Sequence, residues 1–182
     1  LAPGGPQYLF SDDPEYFRVP EGVGMREKVK PGIVRLYIYH VNGTTDTVKK
    51  ISTVIENLGD KPMTLRFLRY ASTGPSTDYY TVGKTGLVQF FSSKPQNRTV
   101  VIAPGGGAPL DEAMDDARVK FDELVHGFYE FEVDQPAQVS TVMTDPDVPS
   151  LEASRRNSVQ PPKKKGEGAG RGGGHMAEVQ RN

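Results

Sequence analysis

The sequence predicts an all-β fold: an antiparallel β-sandwich, immunoglobulin-like or jelly-roll-like, with one short helix and a disordered C-terminal tail. Short segments of alternating apolar and polar residues recur between positions 31 and 144, separated by turn residues, as is typical of sandwich strands. Only one segment has helical periodicity. The 182 residues include 20 Gly and 15 Pro, which favours turns over long helices. A closed barrel is the alternative arrangement of such strands.

Composition divides the chain into three parts. Residues 1–30 are rich in turn residues and are predicted to form an extended arm, with a short strand near residues 16–19. Residues 31–150 are predicted to form the sandwich domain. Residues 151–182 are predicted to be a disordered, basic, Gly-rich tail, because positions 155–182 contain six glycines and no aromatic residue and carry a net charge of +5.

The first predicted strand of the sandwich spans residues 33–41, where apolar and polar side chains alternate. One face of this strand carries Val34, Leu36 and Ile38. The other face carries Arg35, Tyr37 and Tyr39. Such alternation is typical of a strand with one buried face.

Two antiparallel hairpins are predicted next. Residues 51–56 and 63–68 alternate on either side of the turn sequence NLGDKP, in which glycine and proline suit a tight connection. Residues 128–133 and 138–144 alternate on either side of the turn sequence DQPA. Each pair of strands is therefore predicted to form a hairpin.

The remaining segments have weaker hydrophobic patterns. Residues 87–91 and 98–103 are apolar and are predicted to be strands, and residues 73–83 are predicted to be a loop. Residues 109–118 are predicted to be the short helix, with Pro109 in its first turn. The apolar face of this helix carries Leu110, Ala113, Met114 and Ala117.

Several function classes are disfavoured by composition. The absence of cysteine excludes disulfides and thiolate chemistry. The histidines His40, His126 and His175 have no second ligand at a short spacing, so no metal site and no cofactor are predicted. A net charge of −1 argues against specific nucleic-acid binding, and we interpret the run of three lysines at 163–165 as solvated tail charge. No apolar run is long enough for a transmembrane segment.

No catalytic residue is predicted, although enzymatic activity is left open. There is no Gly-x-Ser-x-Gly motif for a serine hydrolase. The acidic residues of the predicted helix are interpreted as a solvated helix start, with a Ca²⁺ site as the alternative. These residues are Asp111, Glu112, Asp115 and Asp116. A metal-dependent enzyme that uses His40, His126 and acidic residues is a third functional hypothesis.

The tyrosines indicate a binding surface. Tyr37 and Tyr39 project from the same face of one strand, where a rise of about 3.3 Å per residue separates them by about 6.5–7 Å. Tyr79 and Tyr80 lie in the predicted loop, and His40 lies at a strand end. These five residues are the candidate ligand-binding residues, since exposed tyrosine rings bind sugars or peptides. The alternative is that the rings form a covered, structural face.

Three segments resemble a poorly characterised group of exported bacterial β-sandwich proteins, some of them associated with copper-amine-oxidase-type N-terminal repeat domains. These segments are RLYIYHVN (35–42), VIENLGDKP (54–62) and HGFYEF (126–131). The resemblance covers residues 30–145 and implies a non-enzymatic role in an extracellular or cell-envelope location. We also expect that this sequence is a fragment or a processed form, because it begins with Leu1 rather than Met; a signal peptide before it would not be visible.

The first functional hypothesis is therefore a structural or binding module of an exported, secreted bacterial cell-envelope protein. Its expected partners are cell-wall polysaccharide or neighbouring domains of a longer chain. The alternative is a carbohydrate-binding or carbohydrate-acting domain that uses the tyrosine-rich sheet face.

Overall fold

The computed structural model of the protein describes residues 5–94 and 98–163. The strands are β1 (Gln7–Ser11), β2 (Tyr16–Phe17), β3 (Gly22–Val29), β4 (Gly32–Asn42), β5 (Val48–Asn57), β6 (Met63–Ser76), β7 (Thr99–Ile102), β8 (Gly107–Pro109), β9 (Val119–Lys120), β10 (Leu124–Val133) and β11 (Ala137–Thr144). The helices are α1 (Tyr79–Ser92), α2 (Glu112–Asp116) and α3 (Ser150–Arg155). The chain is thus mostly strand, as the sequence predicts.

The strands form two sheets in a sandwich-like arrangement; over the described residues neither sheet closes into a barrel. The first sheet has the order β1-β4-β10-β6-β7, with β2 also paired to β4. The second sheet has the order β3-β11-β5-β8, with β9 also paired to β5. Most pairs are antiparallel, but β1 and β2 both pair with β4 in parallel.

The core lies between the two sheets. The alternation predicted for β4 is confirmed, because Val34, Leu36 and Ile38 are fully buried while Tyr37 and Tyr39 are only partly buried. The opposing sheet contributes residues of β5 and β11 to the same apolar cluster. Burial of each large apolar side chain contributes about 1.5–3 kcal/mol, so this cluster holds the sheets together.

Both predicted hairpins are wrong in their pairing. Strands β5 and β6 lie in different sheets, and so do β10 and β11. The two connections therefore carry the chain across the sandwich, and they lie side by side: Leu58 N–H donates to the Pro136 carbonyl at 2.8 Å, and Thr64 N–H donates to Asp134 Oδ1 at 2.8 Å. A hairpin and a sheet-changing corner have the same local pattern, because one face of each strand points inward in both.

Helix α1 replaces two predicted elements. The predicted strand at 87–91 and the end of the predicted loop at 73–83 both belong to Tyr79–Ser92. Asp78 caps the helix by accepting a hydrogen bond from Thr81 N–H at 3.2 Å. The helix lies on the outer face of the first sheet, against β6 and β10. On its outward side Leu87, Val88 and Phe91 are exposed beside the buried Phe90, and this local apolar run imitates a buried strand.

Two domain boundaries also differ from the prediction. The predicted arm, residues 1–30, contains β1 and β2 in the first sheet and β3 in the second. The predicted disordered segment begins with α3, whose Ala153 and Ser154 are buried. Arg26 holds the end of α3, donating to the carbonyl oxygens of Ser154 and Asn157. Composition did not indicate these polar contacts, because their partners are distant in sequence.

Residues 164–182 of the predicted tail lie outside the described part of the chain.

Truncation tests the role of the segment after α3. Removing residues 155–182 eliminates the ion pair between Arg156 and Glu21 at 2.7 Å and the hydrogen bond from Gln160 N–H to the Val23 carbonyl at 2.7 Å. Because each such hydrogen bond has a net value of about 0.5–1.5 kcal/mol, we expect a loss of about 2–4 kcal/mol and a Tm lower by about 5–10 °C. Thermal unfolding followed by circular dichroism measures the decrease in Tm.

Removing only residues 164–182 is the matched control, since it keeps all of these contacts. Equal Tm values for the two truncated proteins would show that the segment does not stabilise the second sheet.

Candidate functional site

A cavity of about 230 Å³ opens on the outer face of the first sheet. It lies between β1, β4, β10 and the C-terminal end of α1, and we call it the aromatic cleft. Its lining is mostly aromatic, with two arginines and two leucines: Tyr8, Leu9, Phe10, Arg35, Leu36, Tyr37, Arg69, Phe90, Phe91 and Phe128. Apolar, concave sites with few polar groups are typical of small-molecule binding.

Strand register places three rings of the cleft side by side. Phe10 of β1 and Phe128 of β10 are both paired with Tyr37 of β4. The centroid of the Tyr37 ring lies 6.4 Å from that of Phe10 and 5.8 Å from that of Phe128. The three rings therefore form a continuous row across three strands, since neighbouring strands carry opposed side chains on the same face.

Helix α1 supplies the wall beside this row. The Phe90 ring stacks on Phe128 with centroids 4.2 Å apart, and Phe91 lies 5.9 Å from Phe128. Phe90 is buried between α1 and the sheet, whereas Phe91 is 65% exposed. The wall therefore extends from the helix–sheet contact to the protein surface. The C-terminal turn of α1 thus forms one side of the opening.

The charged groups of the cleft share a single carboxylate. Arg35 Nε donates to Glu130 Oε2 at 2.7 Å, and Arg69 Nε donates to Glu130 Oε1 at 3.4 Å. The hydrogen bond with Glu130 raises the pKa of Arg35. Two guanidinium groups and one carboxylate leave a net positive charge beside the rings. The Arg69 guanidinium also lies 4.8 Å from the centroid of the Phe90 ring, a cation–π contact.

Of the five predicted site residues, Tyr37 lies in the cleft and Tyr39 lies beside it. Their rings are nearly parallel, at 16°, with centroids 6.4 Å apart, close to the separation expected from the strand rise. Tyr39 packs with Tyr79 and Tyr16 around a small buried cluster beneath the start of α1. Burial raises the pKa of Tyr39. The tyrosine face is therefore open at Tyr37 and covered towards Tyr79.

The other three predicted residues lie away from the cleft. Tyr79 donates to the Asp122 carbonyl at 2.7 Å, and burial raises its pKa. Tyr80 points outward and is 76% exposed. His40 is buried in the core, where Nδ1–H donates to the Pro14 carbonyl at 2.9 Å and Nε2 lies 2.6 Å from Ser11 Oγ. Burial lowers the pKa of His40 to about 4.

His126 lies on the outer face of β10, under α1. The edge of its ring faces Tyr37 at 5.1 Å and Tyr39 at 6.5 Å between centroids. Neither ring nitrogen has a hydrogen-bond partner among the described residues, and burial lowers its pKa to about 4. His40 faces the opposite side of the first sheet. The hypothesis of a metal-dependent enzyme that uses both histidines therefore has no geometric support.

Over residues 5–94 and 98–163, no group of three or more His, Cys, Asp or Glu side chains is placed to hold a metal ion. In the same residues, no helix is both long and apolar enough to cross a membrane.

The acidic residues near α2 have structural contacts. Asp111 caps α2 by accepting from Ala113 N–H at 3.0 Å, and its other oxygen accepts from the Tyr129 hydroxyl at 2.7 Å. Asp115 accepts from Ser52 Oγ at 2.6 Å. The solvated helix start predicted from sequence is thus corrected for Asp111, which is 5% exposed. A buried carboxylate is retained here because its oxygens are hydrogen-bonded.

Sequence reasoning missed most of the cleft. Phe10 lies in the predicted arm, and Phe90 and Phe91 lie in a segment predicted to be a strand. The available signal was the pairing of opposite charges: Arg35 and Glu130 both fall on the polar faces of predicted strands. Strand order was needed to bring them together.

Comparison of the chain with family models, with curated proteins and with solved structures found no match in any of the three. The functional argument therefore depends on the fold and on the site. Together they define a two-sheet β protein with an aromatic, cationic cleft on an outer sheet face.

The buried histidines predict a loss of stability in mild acid. Their folded-state pKa values, about 4, lie below the ordinary value of 6.5, so the unfolded chain takes up protons first as the pH falls. Stability is complete above about pH 6.5 and declines as the pH falls towards 4, by about 2–3 kcal/mol per histidine at pH 4.5. Urea unfolding at pH 7 and at pH 4.5 measures the difference.

A His126→Leu variant is the control for this pH dependence. It removes one of the two groups, so we expect its stability to fall about half as much over the same interval. Equal stability of the original protein at both pH values would contradict the burial of both rings.

Proposed function

We propose that the protein is a non-enzymatic binding module of the bacterial cell envelope that holds one sugar residue of a polysaccharide in the aromatic cleft. The observation that carries this proposal is the row of rings formed by Phe10, Tyr37 and Phe128. Aromatic rings present flat apolar surfaces, and the C–H face of a sugar ring packs against such surfaces.

The size of the cleft supports a single ring as the bound unit. Pockets for drug-sized ligands have volumes of about 300–1,000 Å³, whereas this cavity has about 230 Å³. One sugar ring fits this space, and the rest of a polymer extends outside it. A shallow site of this kind binds weakly, with a Kd of about 0.1–1 mM.

The polar groups of the cleft match the hydroxyl groups of a sugar. The guanidinium groups of Arg35 and Arg69, which line the cleft, donate hydrogen bonds, and their ion pairs with the buried Glu130 fix their positions. The Tyr8 hydroxyl, which accepts from Arg35 Nη1 at 3.2 Å, adds a group that both donates and accepts. Mixed donors and acceptors beside flat apolar walls provide orientation as well as contact area.

The cell-envelope location is supported by the resemblance of residues 30–145 to exported bacterial β-sandwich proteins. Cell-wall polysaccharide is the partner that agrees with both the location and the cleft. Enzymatic activity is not part of the proposal, because no carboxylate is among the described residues that line the cleft, and the neighbouring Glu130 is ion-paired with Arg35 and Arg69.

A purely structural module is the second candidate function. The observation that favours it is the covered half of the tyrosine face, where Tyr39 packs beneath Tyr79 and Val82 of α1. In that case the rings of the cleft serve to hold α1 on the sheet, and the neighbouring domains of a longer chain are the partners.

Substitution of Tyr37 separates the two candidates. We expect Tyr37→Ala to weaken retention on cell-wall polysaccharide at least about ten-fold, because it removes the central ring of the row; this corresponds to about 1.4 kcal/mol. Affinity electrophoresis in gels containing the polysaccharide measures retention, and Tm values verify the fold. Tyr80→Ala is the matched control, since Tyr80 is 76% exposed and lies outside the cleft.

Arg69→Gln is a second variant that removes a donor without removing a ring. Weaker retention of both cleft variants and unchanged retention of Tyr80→Ala support the proposal. Absence of retention of the original protein on every polysaccharide tested would favour the structural role.

A further inference from the structure

Two rows of side chains cross the outer face of the first sheet at the cleft. One is the row of rings formed by Phe10, Tyr37 and Phe128. The other, which we call the charged row, lies two residues away on the same strands and continues onto β6. Its members, each paired in register with the next, are Tyr8, Arg35, Glu130 and Arg69. Because a strand rises about 3.3 Å per residue, the two rows lie about 6.5–7 Å apart.

The charged row has one positive charge in excess, and this excess is least satisfied at Arg69. Arg35 Nε donates to Glu130 at 2.7 Å, and Arg35 Nη1 donates to the Tyr8 hydroxyl at 3.2 Å. Arg69 Nε lies farther from Glu130, at 3.4 Å, and over the described residues this is the only hydrogen bond of the Arg69 side chain. Its two terminal nitrogens are therefore available to a ligand.

Neighbouring carboxylates do not neutralise this excess charge. Glu132 of β10 is ion-paired with Arg66 of β6, next to the charged row. Asp78 caps the start of α1, whereas the cleft lies at the other end of this helix. No carboxylate is among the described residues that line the cleft. The excess charge of Arg35 and Arg69 therefore faces any ligand that enters.

A ligand in the cleft removes water from Arg69. The side chain of Arg69 is 26% exposed, and its guanidinium group lies 4.8 Å from the centroid of the Phe90 ring in the cleft wall. A neutral ligand would leave this cation less hydrated and without a new counter-charge, which is unfavourable. A ligand with one negative charge would balance the two arginines together with Glu130.

We propose that the sugar bound in the cleft is acidic and carries one carboxylate on its ring, as a uronic acid does. The carboxylate binds the terminal nitrogens of Arg69, while the ring packs on the row of rings. A carboxylate attached to a ring carbon lies at the edge of the sugar, so it leaves the C–H face free for Tyr37. A guanidinium–carboxylate hydrogen bond of about 2.8 Å then bridges the space between the two rows. This inference rests on the proposed function, because it names the class of sugar for the same site.

A phosphate group is the poorer match for this site. A phosphate monoester carries about −1.5 to −2 charges at neutral pH, more than the single excess charge of the row. A phosphodiester carries one charge, but it lies in the linkage between two sugar units. The cleft, with about 230 Å³, holds one ring.

Matched pairs of polymers test the proposal. Alginate, polygalacturonate and hyaluronan contain different uronic acids, and reduction of their carboxylates gives a neutral polymer with the same linkages. We expect affinity electrophoresis to show at least about ten-fold stronger retention on one or more of the acidic polymers than on its reduced form. This retention should decrease between about 0.05 M and about 0.5 M NaCl, because salt screens the attraction.

Substitutions assign the charge preference to the cleft. We expect Arg69→Gln to weaken retention on the acidic polymer at least about ten-fold and to change retention on its reduced form less than about two-fold. Arg69→Met is a second variant that removes the charge but keeps an apolar chain against Phe90. Arg66→Gln is the matched control, since it removes the same charge from the same strand outside the cleft, and we expect unchanged retention. Tm values verify that each variant is folded.

The outcomes separate this inference from the proposed function. Equal or stronger retention on the reduced polymers would overturn the acidic ligand and leave a module that binds neutral sugars. No retention on either member of any pair, or on neutral cell-wall polysaccharide, would contradict the proposed function as well. An equal loss for Arg66→Gln and Arg69→Gln would show non-specific attraction and would overturn the assignment to the cleft. Stronger retention on a sugar polymer linked by phosphodiesters than on all three polyuronates would replace the carboxylate with phosphate.

Discussion

The close approach of helix α1 to the first sheet at Gly86 is the contact on which the rest of the candidate site depends. A Cβ at this position would lie 2.6 Å from Cε1 of His126 and 3.0 Å from Oγ1 of Thr73, so a larger residue requires its neighbours to move. Thr73 also fastens the helix, because its hydroxyl donates to the Val82 carbonyl at 2.8 Å. Glycine thus lets the helix backbone lie directly on the imidazole ring of His126.

This contact divides the outer face of the first sheet into a covered half and an open half. Tyr39 is covered by Tyr79 and Val82 at the start of α1, whereas Tyr37 remains open to the cleft. Phe90, one helical turn beyond Gly86, becomes the wall of the cleft by stacking on Phe128. The same docking leaves Leu87, Val88 and Phe91 exposed on the outward side of the helix. The proposed sugar site is therefore a consequence of this packing arrangement.

The features that depend on local alternation could be predicted from the sequence. The features that depend on which strands pair with each other could not. The buried and exposed faces of β4 were predicted correctly, because period-two alternation is a local property. The corners after β5 and β10 were interpreted as hairpins, since nothing local shows whether the next strand returns to the same sheet. Helix α1 was missed because the exposed Leu87, Val88 and Phe91 adjoin the buried Phe90, which makes residues 87–91 a local apolar run. Only Tyr37 of the candidate site residues lines the cleft, since the register that pairs it with Phe128 is not visible in one sequence.

Two glycine-to-alanine substitutions within α1 test the central contact most directly. A Cβ at Gly83 would meet nothing within 4 Å, whereas a Cβ at Gly86 would collide with His126. Alanine is favoured over glycine inside a helix by about 0.5–1 kcal/mol, so Gly83→Ala should keep or raise the Tm. Overpacking typically costs about 1–3 kcal/mol, so Gly86→Ala should lower the Tm by about 2–10 °C. Equal Tm values for the two variants would show that α1 does not lie on His126 and would contradict this account of the site.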